Sequence, residues 1–400
     1  MRFSTLILGA LFCIFFSNQL NASILWDKDM AYDSNTNTSL LASCLNKDAN
    51  TVIVITKVCP KGSLPGWGFC VLWEIGTDGN IIRQVPFKNA EGSTVQTNAV
   101  AAKDDCAIAS DTSGNLMTIG VFGDQKKGRS IARISANNKR EPVVLTSSQI
   151  DNLSIKKLIP FKNNTFIFVG SEKGNNLRLL TDHEGKILNK KQEKLFDVGQ
   201  HESFTDAALM RSNNSNLAVV GRGLANITRE MTFEQPAENY IVIYGPNDEI
   251  LFGDSFAGGS SILLPPKVCY LDNGNIVVLY AKKNANLKTE FWARCYSQEL
   301  KLLWEKLVFV ADKLPFFFNI TSRNQAGFVV GLSPQMLEGL EFYFFDKNGT
   351  QVDNAHYKGM VSASGFNLMR INEKIIAVFE EGSSGSAKDL IIKTKVIAFN

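Results

Sequence analysis

Histidine is nearly missing from this chain: His183, His201 and His356 are the three in 400 residues. Neither His-x-His nor His-Glu-x-x-His occurs, and no Cys-x-x-Cys is present. The spacings that hold zinc are therefore excluded and no metal is expected. There is no G-x-S-x-G elbow and no glycine-rich phosphate loop, which removes the sequence marks of an α/β-hydrolase or a nucleotide-binding P-loop. The net charge of +3 is too close to neutral to point to nucleic acid or an anionic membrane as partner. With 11 prolines and no Pro/Ser-rich or single-sign charged stretch, nothing marks a domain boundary. Apolar residues at helical spacing are almost absent, so the chain reads as all-β.

The first 22 residues are of another kind. Arg2 supplies a positive start, and Thr5 to Phe16 form an apolar run too short to span a bilayer core of about 30 Å. Leu20-Asn21-Ala22 places a small residue at a cleavage point. A signal peptide over 1–22 is expected, with mature protein starting at Ser23 and exported to a periplasmic or extracellular space. No later run is long and apolar enough for a membrane helix.

What is abundant is repetition. Second strands are the clearest: Thr51-Val-Ile-Val-Ile-Thr56, Leu116-Met-Thr-Ile-Gly120, Thr165-Phe-Ile-Phe-Val-Gly170, Leu217-Ala-Val-Val-Gly221, Ile276-Val-Val-Leu-Tyr280, Phe328-Val-Val-Gly331 and Ile375-Ile-Ala-Val-Phe379. They recur at roughly fifty to sixty residues, the period of four-stranded propeller blades with loop insertions. A polar turn precedes each, and Asn/Asp/Gly turns such as Thr77-Asp-Gly-Asn80 and Lys347-Asn-Gly349 join third and fourth strands. Runs apolar on both faces suit strands covered on both sides by neighbouring blades.

The reading is a single domain over 23–400, a seven-bladed β-propeller with six or eight blades as alternatives. Blades are expected at about 40–90, 97–147, 153–197, 203–256, 261–310, 315–356 and 361–400. The last copy lacks a fourth strand, whereas Ile24-Leu-Trp-Asp-Lys28 resembles Leu302-Leu-Trp-Glu-Lys306. Residues 24–29 are therefore expected to complete the last blade and close the ring.

Motifs such as Leu72-Trp-Glu-Ile-Gly-Thr-Asp-Gly-Asn-Ile-Ile82 and Phe342-Tyr-Phe-Phe-Asp-Lys-Asn-Gly-Thr350 make the chain similar to exported bacterial β-propellers with PQQ-like or related short blade repeats. The resemblance covers the mature chain and implies its architecture. The Trp late in each PQQ-like blade appears here at Trp304 and, by analogy, at Trp26. Quinone binding is therefore not carried over, and no cofactor is expected.

Seven cysteines include Cys13 in the leader, leaving an even set in an exported chain. Cys59 and Cys70 flank one loop between hairpin partners, and Cys44 and Cys106 fall on first strands of neighbouring copies. Both pairs are disulfide candidates. Cys269 and Cys295, with a strand between them, are not.

Candidates for function are few. Gln200-His-Glu-Ser-Phe-Thr-Asp206 offers His201, Glu202 and Asp206 as an acid/base set, provided they converge in one mouth of the channel. Asp104-Asp105 and Glu380-Glu381 are strand neighbours that point apart. The residue entering the first hairpin is basic in five copies: Lys47, Lys162, Arg211, Arg323 and Arg370. These could form an anion-attracting ring, or simply suit solvated strand ends. Trp67, between two glycines in a loop, and the insert 222–239 are candidate contact points. The sequence favours a monomeric, non-catalytic recognition or assembly scaffold for a protein or a glycan. A hydrolase or lyase acting at the channel mouth is the alternative.

Overall fold

Each second strand deals its side chains to two sides in turn, and the consequences of that alternation organise the whole molecule. The computed structural model describes residues 23–46, 50–61, 68–88, 93–94, 96–97, 106–120, 130–134, 143–146, 150, 153–196, 201–210, 216–224, 237–257, 264–286, 288–311, 315, 317–333, 338–382 and 392–399. These form seven antiparallel sheets, each a meander of four strands, arranged as a seven-bladed β-propeller. The innermost strands, in order, are Thr36–Asn46, Ala107–Ser110, Ser154–Phe161, His201–Leu209, Lys267–Tyr270, Phe317–Ser322 and Val361–Ile371. In the first blade a short extra strand, Gln96–Thr97, also pairs with the third strand, Gly68–Ile75.

The core is not one mass but seven wedges, one in each seam between blades. In blade 1, Val52 and Val54 join Ile376 and Val378 of blade 7, whereas Ile53 and Ile55 join Ile108 and Ala132 of blade 2. Blade 6 divides in the same way: Phe328 and Val330 pack toward blade 5, and Val329 toward blade 7. The continuous Val/Ile runs are thus two alternating apolar faces, both covered.

The N-terminal segment closes the ring. Ile24–Met30 pairs antiparallel with Ile392–Phe399 and becomes the outer strand of blade 7, with Trp26 opposite Ala398 and Lys28 opposite Val396. Side chains then sew blade 7 to blade 1. The Thr394 N–H donates to Thr38 Oγ1 at 2.9 Å, and the Thr394 hydroxyl donates to the Thr38 carbonyl at 3.1 Å. Glu380, buried in the same seam, accepts the Leu40 N–H at 2.6 Å.

The disulfide expectations require correction, because Cys44, Cys59, Cys70, Cys106, Cys269 and Cys295 are all free thiols. Strand register explains this. Cys70 lies opposite Lys57, so Cys59 is its diagonal neighbour, and diagonal Cα atoms stand about 7–8 Å apart, beyond disulfide reach. Cys44 lies two residues past Ala42 on its strand, whereas Cys106 lies one residue before Ala107, which occupies the level of Ala42. The offset of three residues is about 10 Å along the strands. Cys269 and Cys295 both face Val277, one from each side.

Candidate functional site

The seven inner strands can be aligned through their partners. Val52, Leu116, Phe166, Leu217, Ile276, Phe328 and Ile375 open the apolar runs of the second strands. Three residues on in each run stand Ile55, Ile119, Val169, Val220, Leu279, Gly331 and Val378. Their inner-strand partners are Ala42, Ala107, Lys157, Asp206, Lys267, Asn319 and Asn367. All seven line one cavity of about 610 Å³ at the axis of the propeller. They form a single level of the channel, and its chemistry is unevenly distributed. Blades 1 and 2 contribute alanines, blades 3 to 5 contribute charge, and blades 6 and 7 contribute carboxamides.

Two of the three blades in the charged arc carry a backbone irregularity, which blade 1 shares between Leu40 and Ala42. The inner strand of blade 3 shifts register between Ile155 and Lys157, and that of blade 4 between Phe204 and Asp206. Such a bulge inserts one unpaired residue and re-aims its neighbours. It lets consecutive Lys156 and Lys157 both line the cavity, where simple alternation would send one away. Asp206 is buried; it accepts the Val268 N–H at 3.2 Å and stands 3.5 Å from the Lys157 ammonium. Thr205 donates to the Pro266 carbonyl at 3.0 Å, tying the same bulge to blade 5.

The amide arc is a chain of hydrogen bonds. Asn319 Nδ2 donates to Asn367 Oδ1 at 3.1 Å, and Asn367 Nδ2 donates to Ser43 Oγ at 2.9 Å, crossing from blade 6 through blade 7 to blade 1. Phe317, Phe318 and Phe366 line the cavity on this side, and Arg222 and Lys267 line it on the charged side. Among the described lining residues Asp206 is the one carboxylate, set against Lys156, Lys157, Arg222 and Lys267. Positive charge outnumbers negative on the described lining, so the cavity favours anions.

The expected acid/base set does not assemble around this cavity. Asp206 lines it, but His201 and Glu202 do not. Glu202 is fully buried and held by blade 3: Asn176 Nδ2 and the Leu195 N–H both donate to Oε2 at 2.8 Å, and the Phe196 N–H donates to Oε1 at 3.3 Å. His201 packs against Gly174, where an added Cβ would lie 2.1 Å from Nδ1.

The basic residues at the first hairpins have separate surroundings. Arg370 donates to Asp272 at 2.6 Å and also bonds Asn324, so it reaches past blade 6 to blade 5 at the other end of the channel. The Arg323 guanidinium lies over the Phe344 ring, 5.3 Å from its centroid, and burial draws its pKa down. Lys162 lies in a pocket between blades 3 and 4. Lys47, Arg211, Trp67, the leader 1–22 and residues 225–236 of the long insert lie outside the described residues. Among the described residues no group of three or more His, Cys, Asp and Glu is arranged to hold a metal, and no helix is long and apolar enough to cross a membrane.

The residues that sequence reasoning missed are Lys156, Lys157, Lys267, Asn319 and Asn367, whereas Arg222 opens the insert 222–239 already named as a contact point. In the sequence they are scattered single polar residues. The common register of Lys157, Lys267, Asn319 and Asn367 appears only once each is counted against its second strand.

No family model matches the chain, and no curated protein matches it in sequence. Among solved structures it is similar to the polysaccharide lyase Uly1, with a TM-score of 0.56 at 9% identity, covering 95% of this chain and 99% of that one. A protein of unknown function from Dyadobacter fermentans DSM 18053 gives 0.51 at 8% identity, over 95% and 100% of the two chains. A puromycin-hydrolyzing peptidase from Mycobacterium tuberculosis gives 0.50 at 9% identity; 86% of this chain matches 49% of that one. At these identities the likeness is one of fold.

Proposed function

We propose that this chain is an exported, non-catalytic recognition propeller that binds a carboxylate-bearing glycan in the channel cavity. One observation carries the reading. At one level of the channel, Lys157 of blade 3 and Lys267 of blade 5 flank Asp206 and face carboxamides from blades 6 and 7, with alanines leaving space between. Acidic sugars present the complementary set: a carboxylate for ammonium groups and hydroxyls for amides. Binding is preferred over cleavage because His201 and Glu202 stand outside the cavity lining and Glu202 is taken up by backbone amides.

Calorimetric titration with uronic-acid oligosaccharides and with neutral oligosaccharides of equal length tests the reading. Acidic chains are expected to bind, and Lys157→Ala and Lys267→Ala are each expected to weaken them by about tenfold. Equal binding of neutral and acidic chains, or release of shortened sugars during incubation, would overturn it.

A further inference from the structure

A second cavity, separate from the channel, lies between blades 3 and 4 and encloses about 340 Å³. Its walls are apolar: Phe161, Ile167, Leu180, Leu217 and Tyr244. Three cations line it, namely Lys162, Arg178 and Lys191. Arg178 is 7% exposed and sits over the Tyr244 ring, 3.6 Å from its centroid. Its two terminal nitrogens are taken by Asp248 and Glu193, and Lys191 shares Asp248. The Arg178 Nε, which is also a donor, is buried with no hydrogen-bond partner.

Three cations thus stand against two carboxylates. Lys162 tips the balance. It enters the first hairpin of blade 3 on a single 3-10 turn, Lys162–Asn164, and the Thr165 hydroxyl fixes that turn by donating to the Lys162 carbonyl at 2.7 Å. Its ammonium lies 5.7 Å from the centroid of the Phe161 ring, beside the cavity rather than in the central channel. The volume is at the small end for ligand sites, so it suits a compact molecule.

We infer that the seam between blades 3 and 4 is a binding site for a small organic acid with a flat apolar body, its carboxylate met by Lys162 and its body held among Phe161, Leu217 and Tyr244. The charge excess specifies an anion, the walls specify an apolar body, and the volume limits its size. This site is independent of the glycan reading, since none of its lining residues lines the channel level described above.

The probe is 3-phenylpropionate, compared with its neutral amide by calorimetry and by ligand-observed NMR on the full mature chain. The acid is expected to bind at one site at least about fivefold more tightly than the amide. Lys162→Met should remove that preference. Asn189→Trp, at an exposed wall position on the outer strand of blade 3, should block both ligands by filling the cavity while leaving the circular dichroism spectrum unchanged. Lys157→Ala, in the channel, should change nothing here. No binding of the acid below about 10 mM, equal binding of the amide, or acid binding that survives both Lys162→Met and Asn189→Trp would overturn the assignment.

Discussion

Trp26 donates its indole N–H to the backbone oxygen of Thr77 at 3.0 Å, across the seam where the two ends of the chain meet. The ring lies on Gly79, whose φ of +84° leaves no room for a side chain: an added Cβ would come within 2.8 Å of the indole. Lys374 donates to the same Thr77 oxygen at 2.8 Å. Trp304 repeats the arrangement inside the ring, where the outer strand of blade 5 lays its indole on Gly349 of blade 6 (φ +75°). The closing seam therefore uses the device of an internal seam.

Trp26→Ala should destabilise the protein by about 2–3 kcal/mol, less than a fully buried Trp because part of the ring is solvated. Gly79→Ala should cost about 1–2 kcal/mol, from the left-handed backbone and the displaced indole. Removing 23–30 should do more, since it exposes the edge of Ile392–Phe399. Urea unfolding of the three variants checks the order, and Trp26→Ala matching the wild type would show the contact to be idle.

Much of this fold was legible because a propeller writes its period into apolar runs. Trp26 could be matched to Trp304 by the residues around it, and the closing strand followed. Disulfide pairing was not legible, because it depends on axial offset and not on strand identity. Cys44 and Cys106 do belong to adjacent inner strands or their approaches, yet three residues of stagger part them. The ring of Lys157, Asp206, Lys267, Asn319 and Asn367 was hidden for a related reason: hairpins of unequal length join each inner strand to its second strand, so the positions do not align by counting along the sequence.

The free thiols give the protein an alkaline limit. Burial pushes the Cys295 thiol from its ordinary 9.0 up to about 12, and pushes Cys44 and Cys70 higher still. In the unfolded chain these thiols ionise near pH 9.0, whereas the folded chain keeps their protons. Between pH 9 and about 12 the unfolded state binds fewer protons, so stability falls as pH rises, by about 1.4 kcal/mol per pH unit for each thiol. Below pH 9 these groups contribute no slope. Denaturant unfolding at stepped pH should show this decline, shallower in Cys295→Ala, and reductant should leave the melting temperature unchanged.

Glu202 should prove structural. Glu202→Ala strips acceptors from Asn176, Leu195 and Phe196 inside the seam between blades 3 and 4, and should cost about 3 kcal/mol. Glu202→Gln keeps one acceptor oxygen and should cost about half as much. Both variants should bind acidic oligosaccharides like the wild type. A loss of binding in a fully folded Glu202→Gln would assign this carboxylate a role in recognition.

Asp206 is the more informative of the two carboxylates, because it stands in the ring and opposes the charge that the proposed ligand needs. Asp206→Asn keeps an oxygen for the Val268 N–H and removes the negative charge beside Lys157. The Lys157 side chain is 39% exposed, so water screens the pair and the loss of stability should be small, about 1 kcal/mol. The ligand carboxylate would then meet Lys157 without Asp206 as a competitor. Affinity for uronic-acid oligosaccharides should rise by about three- to tenfold, with a steeper decline as salt is added, while neutral oligosaccharides gain nothing. Were Asp206 instead a general base, the same substitution would abolish a sugar-cleaving activity. Titration and product analysis on this one variant therefore separate a recognition propeller from an enzyme.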